Sequence, residues 1–232
     1  MDKKIIILIV EGPSDQDALE AIFEKIFESN DLRVHVVHGD ITTQKIPQES
    51  NITIEVNNIV EQFIADNHLS RNDLQQIIHI VDLDGAFVPD SYITQCGDFP
   101  NLEKDSSTRI IYSLTEIKTN NPQKVIFRNK IKRERINELL RKKEIASTPY
   151  QIYYMSYCLD HVLYDKLNSS DEEKEENSTA FAIKYKDDIE GFKKYISESS
   201  FSVQGDYLTT WKFVKSNGNS LLRYTNLWIC WS

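Results

Sequence analysis

Phosphate-binding glycine loops, cysteine clusters and membrane-length apolar runs are all missing from this chain, and each absence removes a class of function. No Gly-rich loop ending in Lys-Ser or Lys-Thr occurs, so the chain carries no ATPase of its own. Its three cysteines, Cys96, Cys158 and Cys230, are odd in number and widely spaced, which argues against a disulfide framework and against a zinc site. They are expected to be free thiols in a reducing cytosol, and no activating context marks one as a nucleophile. The N-terminal apolar run, Ile5 to Val10, is six residues long, far short of the roughly 20 that span a membrane. It lacks the small-residue cleavage site of a secretory signal, so the expectation is a cytoplasmic protein without membrane attachment. No solenoid period repeats along the chain. Positive charge is scarce too: the net charge is -9, which speaks against nucleic-acid binding through the overall field. Clustered carboxylates that hold a metal, with a local basic strip to grip phosphates, remain compatible with that balance.

What is present starts with IIILIVEGPSDQDALEAIF, residues 5 to 23. A fully apolar run, the pattern of a strand buried on both faces, breaks at Glu11-Gly12-Pro13. Apolar residues then resume at helical spacing with Leu19, Ile22, Phe23, Ile26 and Phe27. A strand thus delivers Glu11 to its own C-terminal tip, the edge of an open α/β sheet where ligands bind. Ser14 suits a helix cap, and Asp15 and Asp17 suit the positive end of the helix dipole. Capping alone accounts for those three residues, but it does not require a Glu before Gly-Pro.

A second signal of the same kind follows. Ile77 to Val81 is an apolar run ending in Asp82-Leu83-Asp84-Gly85. Residues i and i+2 of an extended chain share a face, so Asp82 and Asp84 project together if the extension persists through the turn. Two hard oxygen donors on one side form a partial shell for a divalent cation. An Asp-Gly turn is the competing explanation for half of that motif.

Elsewhere the pattern predicts a strand over 32–38, a loop over 42–53, a helix over 54–64 and short strands at 110–114 and 124–127. His35 and His38 point to opposite faces of their strand, which makes a shared metal site unfavourable. Residues 128–144 (RNKIKRERINELLRKKE) read as a helix with eight Lys or Arg and three Glu. It is either a solvated surface helix or a strip that contacts phosphates through Arg128, Lys132, Arg133 and Arg135. A strand at 150–155 leads into a short helix, the acidic segment 169–176 reads as a loop at the edge of the main domain, and 181–196 reads as a helix. In the tail, Trp211, Trp228 and Trp231 are more readily core than stacking platforms, and Lys215 and Arg223 are candidate phosphate ligands.

Strand, Glu-Gly, helix, then strand and Asp-x-Asp-Gly: on VEGPSD (Val10 to Asp15) and VDLDG (Val81 to Gly85) the chain resembles the Toprim domain of topoisomerases, bacterial primases and several nucleases. The wording EGPSDQDAL is most similar to the Toprim nucleases of the overcoming-lysogenisation-defect class and to small Toprim proteins encoded beside ATPases in bacterial anti-phage systems. That resemblance is carried by about the first 90 residues and extends to about residue 165. It implies an α/β fold with a Toprim-like, mostly parallel sheet flanked by helices over residues 1–165, and a small mixed C-terminal extension over 166–232. It also implies a metal-dependent nuclease acting on DNA or RNA, with a separate ATPase as partner. Glu11 would be a metal ligand or general acid/base, Asp82 and Asp84 would hold Mg²⁺ or Mn²⁺, and Asp15 would help bind a second ion. The lack of zinc-ribbon cysteines and of a recognisable tyrosine-bearing topoisomerase domain argues against a primase or a complete topoisomerase. A non-catalytic Toprim-fold regulatory or binding subunit and an RNA-maturation nuclease stand as alternatives.

Overall fold

The computed structural model describes residues 4–28, 31–36, 41–47, 50–97 and 108–232, with backbone only for 31–36. Strand β1 (Ile5–Val10) consists of β-branched residues and one leucine, and all six side chains are buried. Ile6, Leu8 and Val10 pack with helix α1 (Pro13–Ile26) on one face of the sheet. Ile5, Ile7 and Ile9 pack with α2 (Ile52–Asp66) on the other. Between those helices lies β2 (Asp31–Val36), and after them β3 (Leu74–Asp82). Both strands pair parallel to β1.

An insertion follows β3. Strands β4 (Ile93–Gln95), β5 (Ile110–Tyr112) and β6 (Ile117–Thr119) form a separate three-stranded mixed sheet in the order β4-β6-β5. Helix α3 (Pro122–Leu139) returns the chain to β7 (Glu144–Ile145) and β8 (Thr148–Met155). The main sheet runs β2-β1-β3-β8-β7, parallel except for the β7–β8 pair. Helix α4 (Leu159–Tyr164) leads to α5 (Asp171–Tyr185), α6 (Ile189–Glu198) and α7 (Tyr207–Val214). On one face α2, α3 and α7 bury Val60, Ile136 and Trp211; on the other α1, α4, α5 and α6 bury Leu19, Val162, Phe181 and Phe192. The result is an α/β protein with a sheet between two helical layers. Among the described residues no helix is long and apolar enough to cross a membrane.

Several expectations are corrected. The strand expected at 124–127 is the first turn of α3, because Asn121 Oδ1 accepts the Lys124 N–H at 3.1 Å and Pro122 presets a helical φ. That helix stops at Leu139 rather than 144. The acidic loop expected at 169–176 is the start of α5. Ser170 Oγ accepts the Glu173 N–H at 3.2 Å and Glu173 Oε2 accepts the Ser170 N–H at 2.8 Å, so the acids are a capping box in a favourable dipole. The helix expected over 181–196 breaks at Asp188, whose side chain caps α6. The mixed sheet lies in the insertion and not at the C terminus, which is helical apart from bridges of Thr225 to Met155 and Ser202. Residues 166–232 also share the cores of the main sheet, through Phe181, Phe192 and Leu227 on one face and Trp211 and Val214 on the other. His38 lies outside the described residues.

The turn after β3 gives a test. Gly85 has φ +76°, and a Cβ there would stand 2.5 Å from Ile117 Cδ1. Gly85→Ala is expected to lower the unfolding free energy by about 2–4 kcal/mol, from left-handed strain plus overpacking, as measured by urea titration. A loss below about 0.5 kcal/mol would mean the turn is not held as described.

Candidate functional site

The connections of β1 and β3 set the site's position. From β1 the chain moves outward to β2, and from β3 it moves the other way to β8, so the strand order reverses between β1 and β3. Helices on opposite faces leave a crevice at the carboxyl edge of such a point. Glu11 directly follows β1, and Asp82 is the last residue of β3, level with Met155 of β8. Beyond β8 the chain turns into α4, which brings Asp160 to the same edge.

A cleft of about 210 Å³ opens there, lined by Glu11, Gly12, Ser14, Asp15, Asp82, Cys158, Leu159, Asp160 and Lys174. Asp15 sits in the first turn of α1, where its Oδ2 accepts the Gly12 N–H at 3.1 Å. Burial pushes its carboxyl up to about 7; the Gly12 bond opposes the rise and the charge of Asp160 adds to it. Asp160 is buried and its carboxyl is raised by that burial, with Lys174 pulling it back down. Burial and the nearby charge of Asp82 raise the Cys158 thiol well above its usual range, which keeps it protonated. Burial is thus the main cause of both carboxyl shifts in the cleft, and at Asp15 the charge of Asp160 adds to it.

Asp84 takes a different path from the extended one expected. The chain leaves the strand at Leu83, and Asp84 adopts a left-handed φ of +46°. Its Oδ2 accepts a hydrogen bond from Lys132 Nζ at 2.5 Å, and the same ammonium lies 3.9 Å from Glu11 Oε2. Lys132 has no exposed side-chain surface. The turn itself is gripped by α3 and the insertion: Arg128 and Tyr112 Oη donate to the Asp84 carbonyl at 2.8 and 3.2 Å, and Asn129 Nδ2 donates to the Gly85 carbonyl at 3.0 Å.

The basic strip divides: Lys130, Arg141, Lys142 and Lys143 are exposed, whereas Arg128, Lys132 and Arg135 are engaged within the protein. Lys132 is buried among carboxylates, which corrects its expected place on a phosphate-contacting surface. Arg128 braces the Asp84 turn. Arg135 donates to the Thr42 and Gln44 carbonyls at 3.0 and 2.6 Å. Arg133 is half-buried on α3. Lys215 donates to Asn137 Oδ1 at 2.6 Å and lies over the Phe87 ring, and burial pulls its ammonium down to about 8. Arg223 closes the C-terminal end of α4, donating to the Val162 carbonyl at 2.8 Å and pairing with Asp165 at 3.6 Å.

Two cleft residues escaped the sequence reading. Asp160 had only a weak signal, since it lies in the first turn of α4 and not at the tip of β8 as Glu11 and Asp82 lie at the tips of β1 and β3. Lys174 had none, because it lies within the acidic run taken for a loop. Among the described residues, no three Asp, Glu, His or Cys side chains are placed to hold a metal ion. No protein-family model, no curated protein and no solved structure matches the chain.

Asp15 carries a pH-dependent prediction. Its folded value is raised, so the stability linked to its bound proton is present in acid and is lost as pH rises through about 7. Asp15→Asn keeps an acceptor for Gly12 without the charge. In chelator, the variant is expected to melt close to wild type near pH 4 and several degrees above it at pH 8, by calorimetric scanning. A difference that does not widen with pH would show that Asp15 is not held near 7.

Proposed function

We propose that this chain is a divalent-metal-dependent nuclease of the Toprim type, hydrolysing phosphodiester bonds in DNA or RNA. The observation that carries the reading is one cleft, at the switch point of a parallel sheet, lined by the four carboxylates Glu11, Asp15, Asp82 and Asp160 together with Lys174. Hard oxygen donors are the set that Mg²⁺ or Mn²⁺ prefers. The carboxyls of Asp15 and Asp160 are raised chiefly by burial, and at Asp15 also by the charge of Asp160, and a cation would relieve both costs. As the structure stands no three described side chains are placed to hold an ion, so a bound cation would have to draw Glu11, Asp82 and Asp160 together, with Asp15 at the margin.

When bound, a divalent cation would stabilise charge on the phosphoryl oxygens and activate a water. The chain's own residues supply the rest. Lys174 lines the cleft as a cation able to meet a phosphate oxygen, and it lowers the Asp160 carboxyl. Lys132 holds the carboxylates of Glu11 and Asp84 in place. Glu11, at the mouth between strand and helix, is the group positioned to exchange a proton with attacking water. Arg128, Lys132 and Arg135 of α3 brace the interior, which on a chain of net charge -9 leaves backbone grip to a few exposed or half-buried cations such as Lys130 and Arg133. A separate ATPase that presents the nucleic acid, as in anti-phage pairs, fits that shortage; this partner and the cytoplasmic setting rest on the resemblance of VEGPSD and VDLDG.

The Lys132 contacts favour a second reading, a regulatory or binding subunit built on the same scaffold, because Glu11 and Asp84 already have a countercharge without metal. One experiment separates the two. The pure protein, alone and with the product of a neighbouring ATPase gene, is incubated with DNA and structured RNA in Mg²⁺ or Mn²⁺. Cleavage abolished by chelator and reduced at least about a hundredfold by Glu11→Ala, Asp82→Ala or Asp160→Ala is the expected result. Cleavage that survives those substitutions would refute the site. No cleavage and no carboxylate-dependent Mn²⁺ binding, free or assembled, would favour the scaffold.

A further inference from the structure

The six cations of α3 fall into two sets. Arg128, Lys132 and Arg135 are engaged within the protein, while Lys124, Lys130 and Arg133 make no ion pair and no side-chain hydrogen bond among the described residues. On a chain of net charge -9 the outer side of this helix is a locally basic face, with Glu134 exposed toward its far end. Phe127 stands on that face. It is 64% exposed, the most exposed large apolar side chain among the described residues. A lone surface phenylalanine means little. This one has Lys124 one turn before it and Lys130 one turn after it, positions whose side chains are neighbours on a helix. Nor does the fold draw on its ring, because α3 is held by Val125, Ile136 and Leu139 on the opposite side.

A cation, an aromatic ring and a second cation in a row match the chemistry of an unpaired polynucleotide, which offers a base face between two phosphates. A duplex keeps its base faces stacked and would engage the lysines alone. Resting on the nuclease reading above, we propose that the outer face of α3 binds the substrate as a single strand, with Phe127 stacked on a base and Lys124 and Lys130 on the phosphates to either side. The face is tied to the site. Arg128, next to Phe127, donates to the Asp84 carbonyl at 2.8 Å, and Asn129 donates to the Gly85 carbonyl at 3.0 Å. The ring is thus carried by the segment that grips the carboxyl edge of the sheet, and the preference it builds in is for unpaired regions over duplex.

The test is run in chelator, so that binding is read without cleavage. Fluorescence anisotropy is measured with labelled single-stranded DNA, single-stranded RNA and the duplex of the same DNA sequence. Wild type is expected to bind at least one kind of single strand about tenfold more tightly than the duplex. Phe127→Ala should erase that preference, weakening single-strand binding about tenfold and duplex binding by no more than about twofold, with an unchanged melting temperature. Phe127→Trp should keep it. Lys124→Gln combined with Lys130→Gln should weaken single strand and duplex alike and flatten the salt dependence of both. A strand carrying a fluorescent adenine analogue should be quenched by stacking on the wild type and on Phe127→Trp, but not on Phe127→Ala. Equal affinity for single strand and duplex, a Phe127→Ala protein that retains the preference, or a wild type that binds none of the three probes would each overturn the proposal. Cleavage in Mn²⁺ without any such preference sinks the α3 surface alone and leaves the nuclease standing. Phe127-dependent strand binding without cleavage does the reverse.

Discussion

The arrangement at the carboxyl edge depends on β1 having no face toward solvent. Six consecutive apolar side chains cannot be satisfied by one layer of helices, so the chain must cover both sides of the strand. It does so with α1 on one side and α2 on the other, and the sheet then grows in opposite directions from β1 and β3. The crevice is a geometric consequence of that reversal. Gly12 and Pro13 convert the end of β1 into a helix start within two residues, and Glu11 is left standing in the crevice.

Placing several carboxylates in such a crevice is unfavourable in proportion to how well it excludes water. The structure answers this in three ways, each at a different group. A buried ammonium serves Glu11 and Asp84, and a second lysine, Lys174, lowers the carboxyl of Asp160. Asp15, where burial and the charge of Asp160 outweigh the backbone bonds of Gly12 and Glu11 and the charge of Lys174, retains its proton to about pH 7. The compensation differs from group to group, from a buried ammonium at Glu11 and Asp84 to a bound proton at Asp15. An external cation gains most where the compensation is conditional.

How far the sequence revealed this follows from the same physics. Strands β1 and β3 were legible because burial on both faces leaves apolar runs, β8 because it is rich in isoleucine and aromatic residues, and the acids that end the first two marked the edge. What composition obscured was the destination of charge. The run SSDEEKEE looked solvated, yet Ser170 and Glu173 cap a helix whose later turns bury Phe181 and Tyr185. The cations of 128–144 looked like a surface strip, yet Arg128, Lys132 and Arg135 are engaged within the protein. A count of charges does not say which helix face meets an acidic edge, because that face is fixed by α3's apolar residues Val125, Ile136 and Leu139. Nor could spacing show that the chain would leave the extended state before Asp84.

That departure explains the insertion. A left-handed Asp84 costs about 1–3 kcal/mol unless its surroundings determine it. They do so from several sides. Tyr112 of β5 and Arg128 of α3 reach its carbonyl, and its N–H donates to the Tyr157 carbonyl at 3.0 Å. Ile117 of β6 fills the space beneath Gly85, and Asn168 in turn ties down the backbone of Tyr112 with two bonds of 2.9 Å. The small mixed sheet therefore works as a brace. It holds the turn in a conformation that carries the Asp84 carboxylate to Lys132, and with that ammonium fixed, Glu11 has a defined partner at the mouth of the cleft.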